Sequence, residues 1–162
     1  MSLENLTMLC LYHQDRLVET KRSPFLEIQC GKALSEISLP MQGDNLGDNI
    51  SDENQFWSEI TGLYWAWKNI ATTKYVGLCS YRRFFNLTDS SEPLELVSIQ
   101  DGQHRIDNLN YEAIEVMLKT VDIIMPVPYT YPCSIRRVCS KNYRDDDFDF
   151  LEVYIKEYTP DY

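Results

Sequence analysis

Long apolar runs, basic stretches and paired cysteines are all scarce in this chain, and each scarcity removes a class of protein. No run approaches the roughly 20 apolar residues of a membrane-spanning helix. The N-terminus also lacks the basic region and apolar core of a secretion signal. A soluble, cytoplasmic protein is the expectation, with peripheral attachment at the inner membrane face open only through a partner. Lysine and arginine total 15 against 25 aspartates and glutamates, for a formal net charge of −10. Without a basic face, a nucleic-acid-binding role is excluded. The five cysteines, an odd number, include no Cys-x-x-Cys pair, which speaks against a disulfide or zinc framework and fits a reducing compartment.

What is present points to a globular fold. Hydrophobic residues make up 44% of the chain and aromatics 12%, enough to exclude disorder, and 162 residues suit a single domain spanning 1–162.

The stretch from Asp44 to Phe85 carries most of the functional information. Its first part is an acidic loop containing Asp44, Gly47, Asp48, Asn49 and Ser51. A calcium reading fails there, because Leu46 occupies a position where an oxygen ligand is needed. Phe56, Ile60, Leu63, Tyr64 and Trp67 then recur at helical spacing. A helix starting near residue 52 is predicted, capped by Ser51 or Asp52, with Asp52 and Gln55 resembling a capping box. Glu59, flanked by Phe56 and Leu63 one turn away, is expected at the edge of the buried face with Arg82 or Arg83 as its partner. Trp57, Trp65 and Trp67 read as packing residues before they read as a sugar platform.

Tyr75 to Cys79 (YVGLC) predicts a strand buried on both faces. A helix feeding a buried strand is an α/β signal, and open α/β sheets bind ligands at the carboxyl ends of their strands. Arg82 and Arg83 follow such an end, where forked guanidiniums can hold phosphate oxygens. Arg136 with Arg137 forms a second small positive island.

Elsewhere, Leu6 to Leu11 predicts the first strand, with His13 in the loop after it. Phe25 to Leu39 lies between Pro24 and Pro40 and contains a turn at Gly31. Leu109 to Val121 predicts a helix with Ile114, Met117, Leu118 and Val121 on one side, and Asp122 to Pro126 predicts a further buried strand. Leu94 to Ile99 offers one weak strand within a long polar excursion. Ser134 to Tyr143 predicts a short helix, and Asp145 onward a longer one with Phe148, Leu151, Ile155 and Tyr158 along one face.

The segments GDNIS, EITGLYWAWKN and YVGLCSYRRFF resemble the pattern of a bacterial family, domain of unknown function 4422, whose members occur with polysaccharide-assembly genes. The resemblance implies an α/β fold of the nucleotide-diphospho-sugar transferase (GT-A) type, with a mostly parallel central sheet flanked by helices. It implies a glycosyltransferase activity in which a nucleotide-diphospho-sugar is the donor and a cell-surface or exopolysaccharide glycan the acceptor. The transferred sugar is a hexose, galactofuranose being one option. Asp48, Arg82 and Arg83 become the candidate catalytic residues, and His13, Asp44, Asn49, Ser51, Glu59 and Tyr81 the donor-binding ones. Gln29, Gly31 and Ala33 also match, and are placed on the second strand and its turn.

Three departures set a second reading beside the first. Ser80 stands where the family carries a histidine before Tyr-Arg-Arg, Asn142 stands where a later histidine is usual, and the resembled domain continues beyond residue 162. No Asp-x-Asp motif ends a strand, so a divalent metal is not expected and no cofactor is assigned. The second reading is a catalytically inactive sugar-nucleotide or glycan-binding module that needs a partner chain to complete its site.

Overall fold

A computed structural model describes residues 5–14, 20, 24–70, 73–85, 103–104, 106–125, 130–139 and 145–159. The chain divides into two compact units, Met1–Pro126 and Val127–Tyr162.

In the first unit, strands β1 (Leu6–Tyr12), β2 (Phe25–Gln29), β3 (Gln42–Gly43) and β4 (Tyr75–Ser80) form a sheet of order β3-β2-β1-β4. Every pairing is parallel, so all four strands deliver their carboxyl ends to the same edge. The continuous apolar run places β1 inside the sheet, since a parallel strand covered on both faces needs apolar residues at every position. Cys10 and Tyr12 pack with Leu39, Cys79, Tyr81, Phe84 and Ile106 on one face. Leu9 and Leu11 pack with Ile28, Cys30, Trp65 and Ala66 on the other. Leu9, Leu11 and Ile28 are almost fully buried, each contributing about 1.5–3 kcal/mol by apolar burial.

The single helix predicted from residue 52 is three pieces: a 3₁₀ turn at Ser51–Glu53, α1 (Asn54–Trp57) and α2 (Ile60–Asn69). Ser58, at φ 46°, separates the last two. The Asn54 amide secures the break by donating to the Ser58 carbonyl at 2.7 Å and to Thr61 Oγ1 at 2.9 Å. Neither Ser51 nor Asp52 caps a helix through its side chain, because the Ser51 hydroxyl is used in the loop described below.

The apolar period was right, but its face is the exposed one. α2 buries Thr61, Gly62, Trp65 and Ala66, while Ile60, Leu63 and Trp67 are 52%, 38% and 72% exposed. Small residues decide this. A Cβ on Gly62 would lie 2.6 Å from Cys30 Sγ and 3.0 Å from Leu11 Cδ2, so only the glycine side lets the helix approach the sheet so closely. The outward residues line an open groove of about 530 Å³ with Leu9, Ile70 and Val76.

β4 also departs from expectation: it lies at the end of the sheet order, and Val76 and Leu78 are 61% and 44% exposed. Residues 122–125 form no strand, having no pairing partner among the described residues. α3 (Tyr111–Thr120) matches its prediction closely. Asn110 caps it by accepting from Ala113 N at 3.0 Å, and Ile114 packs on Leu6 and Met8.

In the second unit, α4 (Ile135–Cys139) and α5 (Asp145–Tyr158) form where predicted. Arg136 is paired with Asp149 and Glu152, so half of that positive island is neutralised internally. The expected strand at 94–99 and Asn142 lie outside the described residues. Among the described residues no helix is long and apolar enough to cross a membrane.

Candidate active site

The parallel sheet brings His13 and Tyr81 together. Each directly follows a strand, and the two strands are neighbours in register from Leu6↔Tyr75 to Leu11↔Ser80. Tyr81 N continues the ladder by donating to Leu11 O at 3.0 Å. The exposed His13 ring meets the Tyr81 ring edge-on, with centroids 4.9 Å apart.

Directly after Tyr81 the chain makes a tight reversal. Ser80 and Arg83 exchange backbone hydrogen bonds of 3.2 and 3.0 Å, which fixes Arg82 and Arg83 at the corner. Buried Tyr81 and Phe84 anchor the turn on either side, leaving both arginines exposed. The Arg82 guanidinium lies 5.3 Å from the centroid of the Tyr81 ring, close enough for a cation–π contact. Among the described residues neither Arg82 nor Arg83 has an ion-pair partner. The sheet edge therefore carries two guanidiniums with free donors beside an imidazole.

A second cluster follows β2 and β3 on the same edge and is organised by Asp44. This carboxylate is fully buried. Its Oδ2 accepts from Gly31 N at 2.9 Å and Thr61 Oγ1 at 2.7 Å. Its Oδ1 accepts from Lys32 N at 3.0 Å and Ser51 Oγ at 2.5 Å. Four protein donors fill the acceptor sites of Asp44, so it ties the β2 turn, the acidic loop and the start of α2 together. Gly31 adopts φ 65°, and a Cβ there would meet Asn54 Cγ at 2.5 Å; glycine answers both constraints.

Ser51 is equally occupied, its hydroxyl also accepting from Ala33 N at 3.0 Å. Asn49 folds on the loop itself, donating to Gly47 O at 2.8 Å and accepting from Ser51 N at 3.1 Å. Gln29, fully buried, supports the turn from behind by donating to Ile37 O at 2.7 Å and accepting from Leu39 N at 2.9 Å.

Asp48 is set apart from this edge. α2 begins beside Asp44 and its C-terminus leads within five residues to the start of β4, so it runs away from the carboxyl edge. Asp48 sits against its last turns: its backbone N donates to Asn69 Oδ1 at 3.2 Å, and its carboxylate accepts from Tyr64 OH at 3.2 Å, with Lys68 Nζ 4.0 Å away. Thr61 to Asn69 spans about 12 Å of helix axis at roughly 1.5 Å per residue, so Asp48 is not brought to the arginines. Glu59 is exposed and pairs with neither arginine among the described residues. The break at Ser58 removes it from the buried edge on which that pairing was predicated.

Thr61 escaped the sequence reading, although a threonine between apolar positions of a helix was the available signal. Its hydroxyl accepts from Asn54 and donates to Asp44. Beneath the edge, burial and the nearby Asp44 carboxylate push the Cys30 thiol up to about 12. The hydrogen bond that Cys79 donates to Cys10, together with burial, holds the Cys79 thiol well above its ordinary value.

The fold has a solved counterpart. The apo structure of the bifunctional glycosyltransferase WbbM superposes with a TM-score of 0.72 at 24% sequence identity, covering 96% of this chain. That likeness shows a shared α/β fold. The present chain spans 30% of the length of WbbM. No curated protein matches. The family described as domain of unknown function DUF4422 matches residues 7–162, nearly the whole sequence, and the chain belongs to that family.

Proposed function

We propose that this chain is the donor-binding part of a glycosyltransferase, moving a hexose from a nucleotide diphosphate to a hydroxyl of a cell-surface or exopolysaccharide glycan. Galactofuranose is one hexose that fits the family. The observation that carries the reading is the exposed Arg82–Arg83 corner, seated on Tyr81 and next to His13 at the carboxyl edge of a parallel sheet. Such an edge is where open α/β folds bind ligands, and paired guanidiniums suit a diphosphate.

In the transfer, the acceptor hydroxyl bonds to the anomeric carbon while the bond from that carbon to the diphosphate oxygen breaks. The diphosphate leaves with the electron pair, and the acceptor's proton passes to a base. Arg82 and Arg83 stabilise the negative charge that grows on the leaving group. His13 and Tyr81 flank the nucleotide. Asp44, Ser51 and Asn49 shape the loop on the sugar side, with Asp44 and Ser51 acting through backbone position. Asp48 and Glu59 stand outside this set.

Thermal-shift and calorimetric titration with uridine, guanosine and thymidine diphospho-sugars, with and without divalent metal, tests the reading. Binding is expected for one donor and is lost in the Arg82→Ala, Arg83→Ala double variant, whose own melting temperature stays near that of the parent. Undiminished donor binding in that variant refutes the diphosphate assignment. A second reading, a module that binds the donor without turnover, rests on Ser80, whose hydroxyl cannot exchange a proton near neutral pH as an imidazole does. Donor binding with no slow donor hydrolysis selects it.

A further inference from the structure

Cys10 and Cys79 are two nucleophilic side chains for which the proposed sugar transfer has no use. They stand opposite each other in the β1–β4 register, and both pack with Tyr12, Tyr81 and Phe84 on one face of the sheet. Among the described residues that cluster holds no other cysteine, Cys30 lying in the cluster on the opposite face. Neighbouring strands lie about 4.8 Å apart, inside the roughly 4.4–6.8 Å between Cα atoms that a disulfide spans.

The Cys79 thiol has two acceptors, Leu9 O at 3.5 Å and the Cys10 sulfur, so its proton is directed at β1 and the two sulfurs meet. Burial acts to raise the Cys10 thiol, yet hydrogen bonds with Cys79, Tyr12 and Thr20 outweigh it and hold that thiol below its ordinary value. One sulfur is thus disposed to lose its proton and its neighbour to keep it, the division of labour between an attacking and a resolving thiol. Both are free thiols. Their exposures of 0% and 7% restrict attack to reagents near the size of water, which enter when the sheet opens locally.

We propose that Cys10 and Cys79, paired in register on one face of the sheet, are an oxidation site at which hydrogen peroxide closes a disulfide between β1 and β4. The Cys10 thiolate attacks one peroxide oxygen, the O–O bond breaks, and the departing hydroxide takes up the thiol's proton and leaves as water, giving a sulfenic acid on Cys10. The Cys79 sulfur then attacks that sulfur, the S–O bond breaks, and the hydroxyl leaves as a second water with the proton of Cys79. Two thiols and one peroxide become one disulfide and two waters; the sulfurs are oxidised and the peroxide oxygens reduced. Tyr12 and Tyr81 come next along the same face, their ring centroids 6.3 Å apart, and Arg82 rests on Tyr81. The bond therefore ties together the two strands that lead into His13 and the arginine corner. The inference is independent of the sugar-nucleotide reading.

The test treats the whole folded chain with hydrogen peroxide, removes the peroxide with catalase, unfolds the chain in the presence of an alkylating agent, and digests it without reductant for mass spectrometry. A peptide pair joined through Cys10 and Cys79 is expected, lighter than the two thiol peptides by a pair of hydrogens, and dithiothreitol returns both residues to alkylatable thiols. In Cys79→Ser the sulfenic acid on Cys10 has no resolving partner and is captured by dimedone. In the cross-linked chain, deuterium exchange at the β4 amides should slow about tenfold or more, because β4 can no longer part from β1. Recovery of both residues as alkylated thiols overturns the proposal, as does sulfinic acid on Cys10 beside a free Cys79, or a bond from either residue to another cysteine or another chain. So does a cross-link formed with equal selectivity in the urea-unfolded chain, since the fold then plays no part in the pairing. Absence of the dimedone adduct in folded Cys79→Ser refutes Cys10 as the attacking sulfur, and unchanged exchange at β4 refutes the tie between the strands.

Discussion

Asp44→Asn isolates the contribution of the buried carboxylate with almost no change of shape. The native group receives two backbone N–H donors, from Gly31 and Lys32, and two hydroxyl donors, from Ser51 and Thr61. An asparagine amide replaces one oxygen with a donor. Whichever oxygen is lost, one backbone N–H then faces an NH₂ and cannot turn away; the hydroxyl beside it can rotate and accept. One charge-assisted bond is lost outright, the remaining three lose their ionic character, and a buried N–H is left unsatisfied. With hydrogen bonds to charged groups contributing about 1.5–3 kcal/mol and an orphaned donor costing about 1–3 kcal/mol, the expected loss is ~4 kcal/mol. That is a large part of a typical total of about 5–15 kcal/mol. Urea denaturation followed by tryptophan fluorescence reads it directly. At a slope of about 2 kcal/mol per molar, the midpoint falls by ~2 M. Thr61→Val, which removes the hydroxyl that donates to Asp44 and accepts from Asn54, should cost about 1.5–3 kcal/mol. The double variant should lose less than the sum of the two, since both changes act on one network. A midpoint shift under ~0.5 M for Asp44→Asn refutes the view that this carboxylate organises the edge.

Three further changes probe other parts of the fold. Gly31→Ala forces a side chain into the left-handed region and against Asn54, so it should destabilise by about 2–5 kcal/mol, combining roughly 1–2 for the backbone with about 1–3 for overpacking; a neutral result in denaturant unfolding contradicts it. Stability should also fall in alkali. The Cys30 thiol ionises near its ordinary 9.0 in the unfolded chain and near 12 when folded, so the folded state retains its proton longer. Its contribution is complete below about pH 9 and is lost as pH rises toward 12. Melting temperatures from pH 8 to 11 should decline, and less steeply in Cys30→Ala. Finally, Trp67→Lys removes the most exposed member of the groove on α2. Binding of a hydrophobic dye should drop, while stability changes by about 1 kcal/mol or less, the value of the contact with Lys68 at an exposed site.

The strands and helices were legible where a local signal decides them. β1 was readable because an interior parallel strand must be apolar throughout, and α3 because its apolar period matches the helix that forms, with Ile114 buried. The face of α2 was not readable. Hydropathy alone assigns the large residues Ile60, Leu63 and Trp67 to the core, whereas the packing distance is set by Gly62 and Ala66, whose fit depends on Cys30 and Leu11 in distant strands. The burial of β4 failed for a related reason: a strand's sequence records that it is apolar, not whether a neighbour lies beside it. The placement of Arg82, Arg83, Tyr81 and His13 at one edge was legible because parallel topology brings residues that follow strands together. Asp44 was placed on the sugar side by the family resemblance, and only the structure shows its carboxylate taken up by four protein donors. Asp48 shares that residue type and lies four residues on, yet the loop carries it to the far turns of α2.

These placements divide the carboxyl edge into two parts with different physical character. On the β2–β3 side every acceptor of Asp44 is taken and the Ser51 hydroxyl both donates and accepts, so that half is rigid and offers a ligand mainly backbone and loop shape. On the β1–β4 side the polar groups are exposed and their donors open, so that half offers charge. The two are joined through β1: Cys30 N donates to Tyr12 O at 2.7 Å on one side, and Tyr81 N donates to Leu11 O at 3.0 Å on the other. The strand most deeply buried in the molecule therefore fixes the separation between the rigid loop and the arginine corner. On the proposed function, a donor spanning both would meet them at a distance set by core packing rather than by loop motion, which is the pre-organisation that charge stabilisation of a leaving group requires.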